Sequence, residues 1–173
     1  MSTTAADYIR SLDSITRETA ANLRTLPEPI ITWQPKAGAW SIKEIIGHLI
    51  DSAANNHQRF VRGQQQTDLV FPGYEQDEWV KLQAYDAAPW NEIVALWESY
   101  NLHIARIMAA MPASVRDRKH ARHNFHQIGF REFTADVPVT LDDLMYDYVL
   151  HLQHHLAQIR DRQRGAELAA RGA

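Results

Sequence analysis

Asp147-Tyr148-Val149-Leu150-His151-Leu152-Gln153-His154-His155-Leu156-Ala157-Gln158-Ile159 sets two histidines, His151 and His155, one helical turn apart. Leu141, Leu144, Tyr148, His151, His155 and Ile159 recur at helical spacing, so the stretch reads as a long amphipathic helix with both imidazoles in mid-stripe. Side chains at i and i+4 share a face with Cβ atoms about 5–6 Å apart. A metal–nitrogen bond is about 2.0–2.1 Å long, so one ion is within reach of both rings. Burying two imidazoles without partners costs desolvation in each. Spacing alone leaves two outcomes open, metal ligation and hydrogen-bonded core histidines. His154 projects about 60° from His151 and reads as flanking. Position 152 is Leu, so this is not the zinc-peptidase pattern, which needs Glu after the first histidine.

Outward from this stretch, Thr140 caps the helix and Asp142 and Asp143 suit its positive end. The helix is predicted to end near Arg164, before Gly165, with the tail beyond it frayed. Three further helices are predicted. The first spans about 4–25, on Tyr8, Leu12, Ile15, Thr19 and Leu23, and is ended by Pro27 and Pro29. The second spans about 41–62; Ser41 and Glu44 have capping-box spacing, and Trp40 stands where a hydrophobic staple belongs. The third spans about 89–111, from Pro89 to Pro112, on Ile93, Trp97, Tyr100, Ile104, Ile107, Met108 and Met111. Asn101 and His103 fall on its flanks and read as surface or partly buried polar residues. His48 likewise falls on the flank of the second stripe.

The segment from Glu28 to Ala39 reads as an ordered loop. The connection from Gln64 to Ala88 is aromatic-rich, with a short helix possible at Gln76–Leu82, and is either a packed crossover or a pocket wall. The connection 113–139 holds His120, His123 and His126 and a possible strand or turn at Ile128–Phe133; its composition argues against a rigid metal site. The expectation is an all-α single domain, 1–173, folded as a four-helix bundle with long crossover connections.

Apolar residues make up 45% of the 173 and charged residues 23%, ordinary globular usage. A net charge of −3 without a basic stripe argues against a nucleic-acid partner. No cysteine is present, which excludes disulfides, thiolate ligands and cysteine nucleophiles. The N-terminal stretch from Met1 to Arg10 has no signal-peptide apolar core, and no run approaches a membrane span. A cytoplasmic protein with no membrane partner is expected.

Two stretches resemble the DinB/YfiT-like superfamily of metal-binding four-helix bundles. They are Trp40-Ser41-Ile42-Lys43-Glu44-Ile45-Ile46-Gly47-His48 and the His151-x-x-x-His155 segment with Gln158-Ile159 after it. The resemblance implies a divalent metal, zinc or nickel, held by His48, His151 and His155, and a homodimer. Three imidazoles with open coordination positions suit catalysis more than a closed structural site. The implied function is a metal-dependent enzyme on a small molecule, hydrolase-like. The alternatives are a low-molecular-weight-thiol-dependent transferase or isomerase, and a non-catalytic metal-binding stress or interaction module. Asp51, Asp147 and Gln158 are candidates for orienting a ligand or acting as a base; for the two aspartates a solvent-facing position is the plainer expectation.

Overall fold

The computed structural model describes residues 4–172; the first three residues, which begin the N-terminal stretch read above, and Ala173 lie outside it. Helix α1 (Ala5–Leu23) starts from a reciprocal cap: Asp7 N–H donates to Thr4 Oγ1 and Thr4 N–H donates back to the Asp7 carboxylate. It buries Tyr8, Leu12, Thr16, Ala20 and Leu23. The segment read as a loop contains one turn of helix, α2 (Glu28–Ile31), which seals Ile31. Helix α3 (Ile42–Gly63) opens on the Ser41–Glu44 capping box, as its sequence predicts.

The connection after α3 carries α4 (Gln76–Leu82), and α5 (Trp90–Ala110) follows Pro89. Two single turns, α6 (Ala113–Arg116) and α7 (Phe125–Ile128), punctuate the next connection, where a strand or turn over 128–133 was one expectation. Among the described residues no strand forms; isolated bridges join Leu69 to His123 and His120 to Val139. Helix α8 begins from Thr140 and Asp143, which bond reciprocally, and runs Leu141–Gly172.

That last range departs from the sequence reading. Gly165 does not end the helix, because the Trp33 ring lies on it: a Cβ there would come within 2.6 Å of the indole. The glycine serves close approach, and the indole from the 32–41 loop holds the helix where local propensity would stop it.

Around the bundle the order is α1, α5, α3, α8. Consecutive long helices are therefore not all neighbours: α1 is diagonal to α3, and α5 to α8. This is the crossover architecture the long connections require. Trp97, Phe60, Leu12, Leu49 and Ile104 are sealed in the core. Asn101 is sealed too, contrary to its flank position. It accepts from Tyr148 Oη–H at 2.6 Å and donates to the Trp97 carbonyl, so its polar groups are satisfied across the diagonal. His103 is exposed, as read. No helix among the described residues is long and apolar enough to cross a membrane.

Two of the three histidines of the 113–139 connection, His120 and His123, hold loops together. His120 Nδ1 meets the Thr67 carbonyl at 2.7 Å, and His123 Nε2 meets the Val137 carbonyl at 2.9 Å. With the backbone bonds between His120 and Val139 and between Leu69 and Arg122, they fasten the two long connections over one end of the bundle.

Candidate metal centre

Helix α3 delivers His48 and helix α8 delivers His151 and His155 to a single point. His151 Nε2 lies 3.2 Å from His48 Nε2 and 3.0 Å from His155 Nε2, and the three nitrogens fall within 4.8 Å of one another. Two metal–nitrogen bonds of about 2.0–2.1 Å span such separations without moving the helices. His48 is 1% exposed despite its flank position, because the α8 face closes over it. The Trp40 indole stands 5.0 Å from the His48 ring, so the staple residue also walls the site.

Burial holds all three rings neutral. It pushes His48 down to about 3, with the nearness of His155 adding to the effect, and His151 well below its ordinary value. Burial also lowers His155, to about 4, against the opposing effect of its hydrogen bond to Gln158. A neutral imidazole carries one N–H and one lone pair. At His155 the assignment follows from its partner: Nδ1–H donates to Gln158 Oε1 at 2.9 Å, leaving the Nε2 lone pair facing its neighbours. Gln158 is itself oriented by His154, to whose Nε2 it donates at 3.0 Å. At His151 the Nδ1 side meets Ser52 Oγ at 3.4 Å. Ring nitrogens this close repel through their lone pairs unless a cation or proton stands between them. The donor set therefore fits a divalent ion.

Gln158→Leu is expected to weaken divalent-metal affinity about 10–100-fold, the usual effect of removing an outer hydrogen-bond partner. Competition with a chromophoric chelator measures it, and an unchanged affinity would refute the orienting role. The folded chain resists protonating rings that the unfolded chain protonates near 6.5. As pH falls from about 6.5 toward 4 the unfolded state takes up more protons, and the metal-free protein loses stability. A urea midpoint that stays flat between pH 7 and 5 would contradict this.

The two aspartates are buried, not solvent-facing. Asp51 Oδ1 accepts from Tyr85 Oη–H at 2.7 Å and from the Gln83 amide, and burial raises its carboxyl. Tyr85 reaches it by lying on Gly47, where a Cβ would collide with the ring. Asp147 accepts from the backbone N–H groups of Phe130 at 2.9 Å and Arg131 at 2.7 Å, and from Arg131 Nε at 3.3 Å. Both carboxylates hold a connection against a bundle helix, and neither hydrogen-bonds a histidine of the trio. Their partners arrive from distant sequence, which apolar periodicity does not register. Of the three candidates, Gln158 alone touches the trio.

A cleft of about 670 Å³ opens on His48 and His151, walled by Ser52, Asn56, Arg59, Tyr74 and Phe130 among others. A second, of about 430 Å³, reaches His151 and His155 from the side of Trp40 and Gln158. Phe130, held out by Asp147, stands between them with its ring 5.5 Å from that of His151. The connections 64–88 and 113–139 thus both cross the bundle and wall the pocket. Ser52, Asn56 and Arg59 escaped the sequence reading. Their signal was present: at 48, 52, 56 and 59 the polar residues of α3 share one arc of the helix beside its apolar stripe.

Comparisons with known proteins agree with this architecture. A family model described as the DinB superfamily matches residues 11–159. A Bacillus subtilis (strain 168) protein named "Putative metal-dependent hydrolase YfiT" is 21% identical over 158 residues, covering 91% of this chain and 83% of its own. A like-named Oceanobacillus iheyensis protein, OB0413, is 20% identical over 154 residues, covering 89% and 82%. The solved structure of YfiT, described as having an unusual four-helix bundle topology, superposes with a TM-score of 0.76 at 18% identity, over 92% of this chain and 86% of that one.

Proposed function

We propose, given that this chain belongs to the DinB superfamily, that it is a metal-dependent hydrolase acting on a small molecule, with His48, His151 and His155 as the metal ligands. The observation that carries the reading is the convergence of three neutral imidazole nitrogens beside an open cleft of about 670 Å³. A divalent ion, when bound, lowers the pKa of its water toward 7 or polarises a carbonyl. The chain's own contribution is preparation. The rings are kept deprotonated by burial, so their lone pairs are free at neutral pH. Gln158 fixes the His155 tautomer, and the Trp40 and Phe130 rings flank the trio. Zinc and nickel both suit three nitrogens with open positions. A homodimer in a reducing cytoplasm completes the reading; the absence of cysteine is consistent with that compartment.

The test is elemental analysis of protein purified without a histidine tag, followed by an ester and amide screen with and without chelator. One ion per chain and chelator-sensitive turnover are expected. A chain that takes up no stoichiometric metal would refute the reading. One observation favours a second reading, transfer to a low-molecular-weight thiol: two separate clefts meet at His151, room for a donor and an acceptor. A thiol-induced change in the absorption spectrum of cobalt-substituted protein would select it over hydrolysis.

A further inference from the structure

Arg59 is a buried cation without an anion. It is 5% exposed, yet no carboxylate lies within 4 Å of it among the described residues. Its hydrogen bonds go to neutral acceptors, Asn56 Oδ1 at 3.4 Å and the Pro72 carbonyl at 3.2 Å, both long. A guanidinium carries five N–H donors in a fixed fork, so more than half of this one's hydrogen-bonding capacity is unused by the protein. Burying such a charge unpaired is costly, and lone buried arginines are rare for that reason. The nearby acid, Asp147, is already committed to the 130–131 backbone and to Arg131. Arg59 lines the same cleft as His48 and His151 and sits on the same arc of α3 as His48, three turns on.

We propose that Arg59 is the anchor for a carboxylate on the small molecule that the histidine site acts on, a specificity assignment that rests on the metal-site reading above. A planar carboxylate matches the guanidinium fork with two parallel hydrogen bonds. Arg59 is the lone Lys or Arg in the cleft lining; of the two acids there, Asp147 is bonded to Arg131 and to the 130–131 backbone and Glu75 stands exposed, which leaves one cation for one negative charge. A dianionic phosphoryl group would find one cation for two charges. The anchored end would lie toward Asn56 and Arg59, and the rest of the molecule would extend past Ser52 to the imidazoles.

The test uses protein as purified and three matched probes, phenylacetate, phenylacetamide and phenyl phosphate, titrated by calorimetry, with metal content followed in every sample. Wild-type protein is expected to bind phenylacetate at least about tenfold more tightly than the neutral amide. Arg59→Gln is expected to remove that preference while leaving amide binding and metal stoichiometry unchanged. Arg59→Lys, which keeps the charge but not the fork, is expected to recover part of it. Equal binding of acid and amide by wild type overturns the proposal, and that comparison stands even where the variants fail to fold. A preference that survives in Arg59→Gln overturns it as well, because the carboxylate would then be held by the ion. Tighter binding of phenyl phosphate overturns the carboxylate assignment. Loss of metal from wild-type protein with the acid preference intact would sink the hydrolase reading and leave the Arg59 anchor standing.

Discussion

His151→Ala is expected to lower bound divalent metal from one ion per chain to less than about a tenth, with helix content nearly unchanged. His151 is the shared vertex of the trio: its Nε2 is the nitrogen within 3.2 Å of both of the others. Removing it takes away a proposed ligand outright, so the loss should exceed the ~10–100-fold expected for an outer partner such as Gln158. The α8 backbone does not depend on this ring; Tyr148, Leu152, Leu156 and Ile159 carry the buried face on either side. Stability should separate by metal state. Metal-free wild type and variant should unfold at similar urea concentrations, because the packing lost with the ring is offset by relief of the crowding among the three ring nitrogens. With metal at about 100 times its Kd the wild type should gain about 2.7 kcal/mol that the variant does not. Elemental analysis with paired urea titrations reads both quantities. A variant that still holds one ion per chain would remove His151 from the ligand set.

Asp147→Ala should produce the largest loss of stability in the chain's polar network, about 3–5 kcal/mol. The substitution leaves the partly buried Phe130 and Arg131 N–H groups without their acceptor, at the lower end of about 1–3 kcal/mol for each, and strips the partly buried Arg131 guanidinium of its carboxylate. For a chain of this length that corresponds to a drop of roughly 10–15 °C in Tm. Asp147→Asn keeps one acceptor oxygen and should lose about half as much. These variants also separate two roles for the residue. A general base replaced by Asn would lose turnover with stability intact. A residue that holds the 129–133 segment over the site would lose stability first, and metal would dissociate faster as Phe130 moves. A Tm within about 2 °C of wild type in Asp147→Ala would contradict the anchoring role.

Asp147 shows where sequence reading stops. Its position one turn before His151 is visible in the chain, but its two backbone donors come from residues 130 and 131, across a connection with no periodicity. Asp51 behaves alike, bonded to Gln83 and Tyr85 from a different connection. The solvent-facing expectation failed at both for the same reason: a polar residue beside an apolar stripe is exposed only when nothing polar folds onto it. His48 differed, in that the stripe did not single it out and the family resemblance did.

The sequence alone determined what depends on neighbours within a turn or two. Thr4 with Asp7, Ser41 with Glu44 and Thr140 with Asp143 start three of the long helices where their spacing says, because a capping box needs four residues and no tertiary partner. The same locality puts His151 and His155 on one face, since 3.6 residues per turn leaves no other outcome. Tertiary structure decided what depends on groups brought from far along the chain. Trp33 carried α8 through Gly165, the α8 face enclosed His48, and the two connections buried Asp51, Asp147 and Arg59 around the cleft. Helix starts and faces follow from short-range hydrogen bonding and geometry. Burial, partner choice and the meeting of His48 with the α8 pair are properties of the packed bundle, fixed only when the apolar stripes close on one another and exclude water.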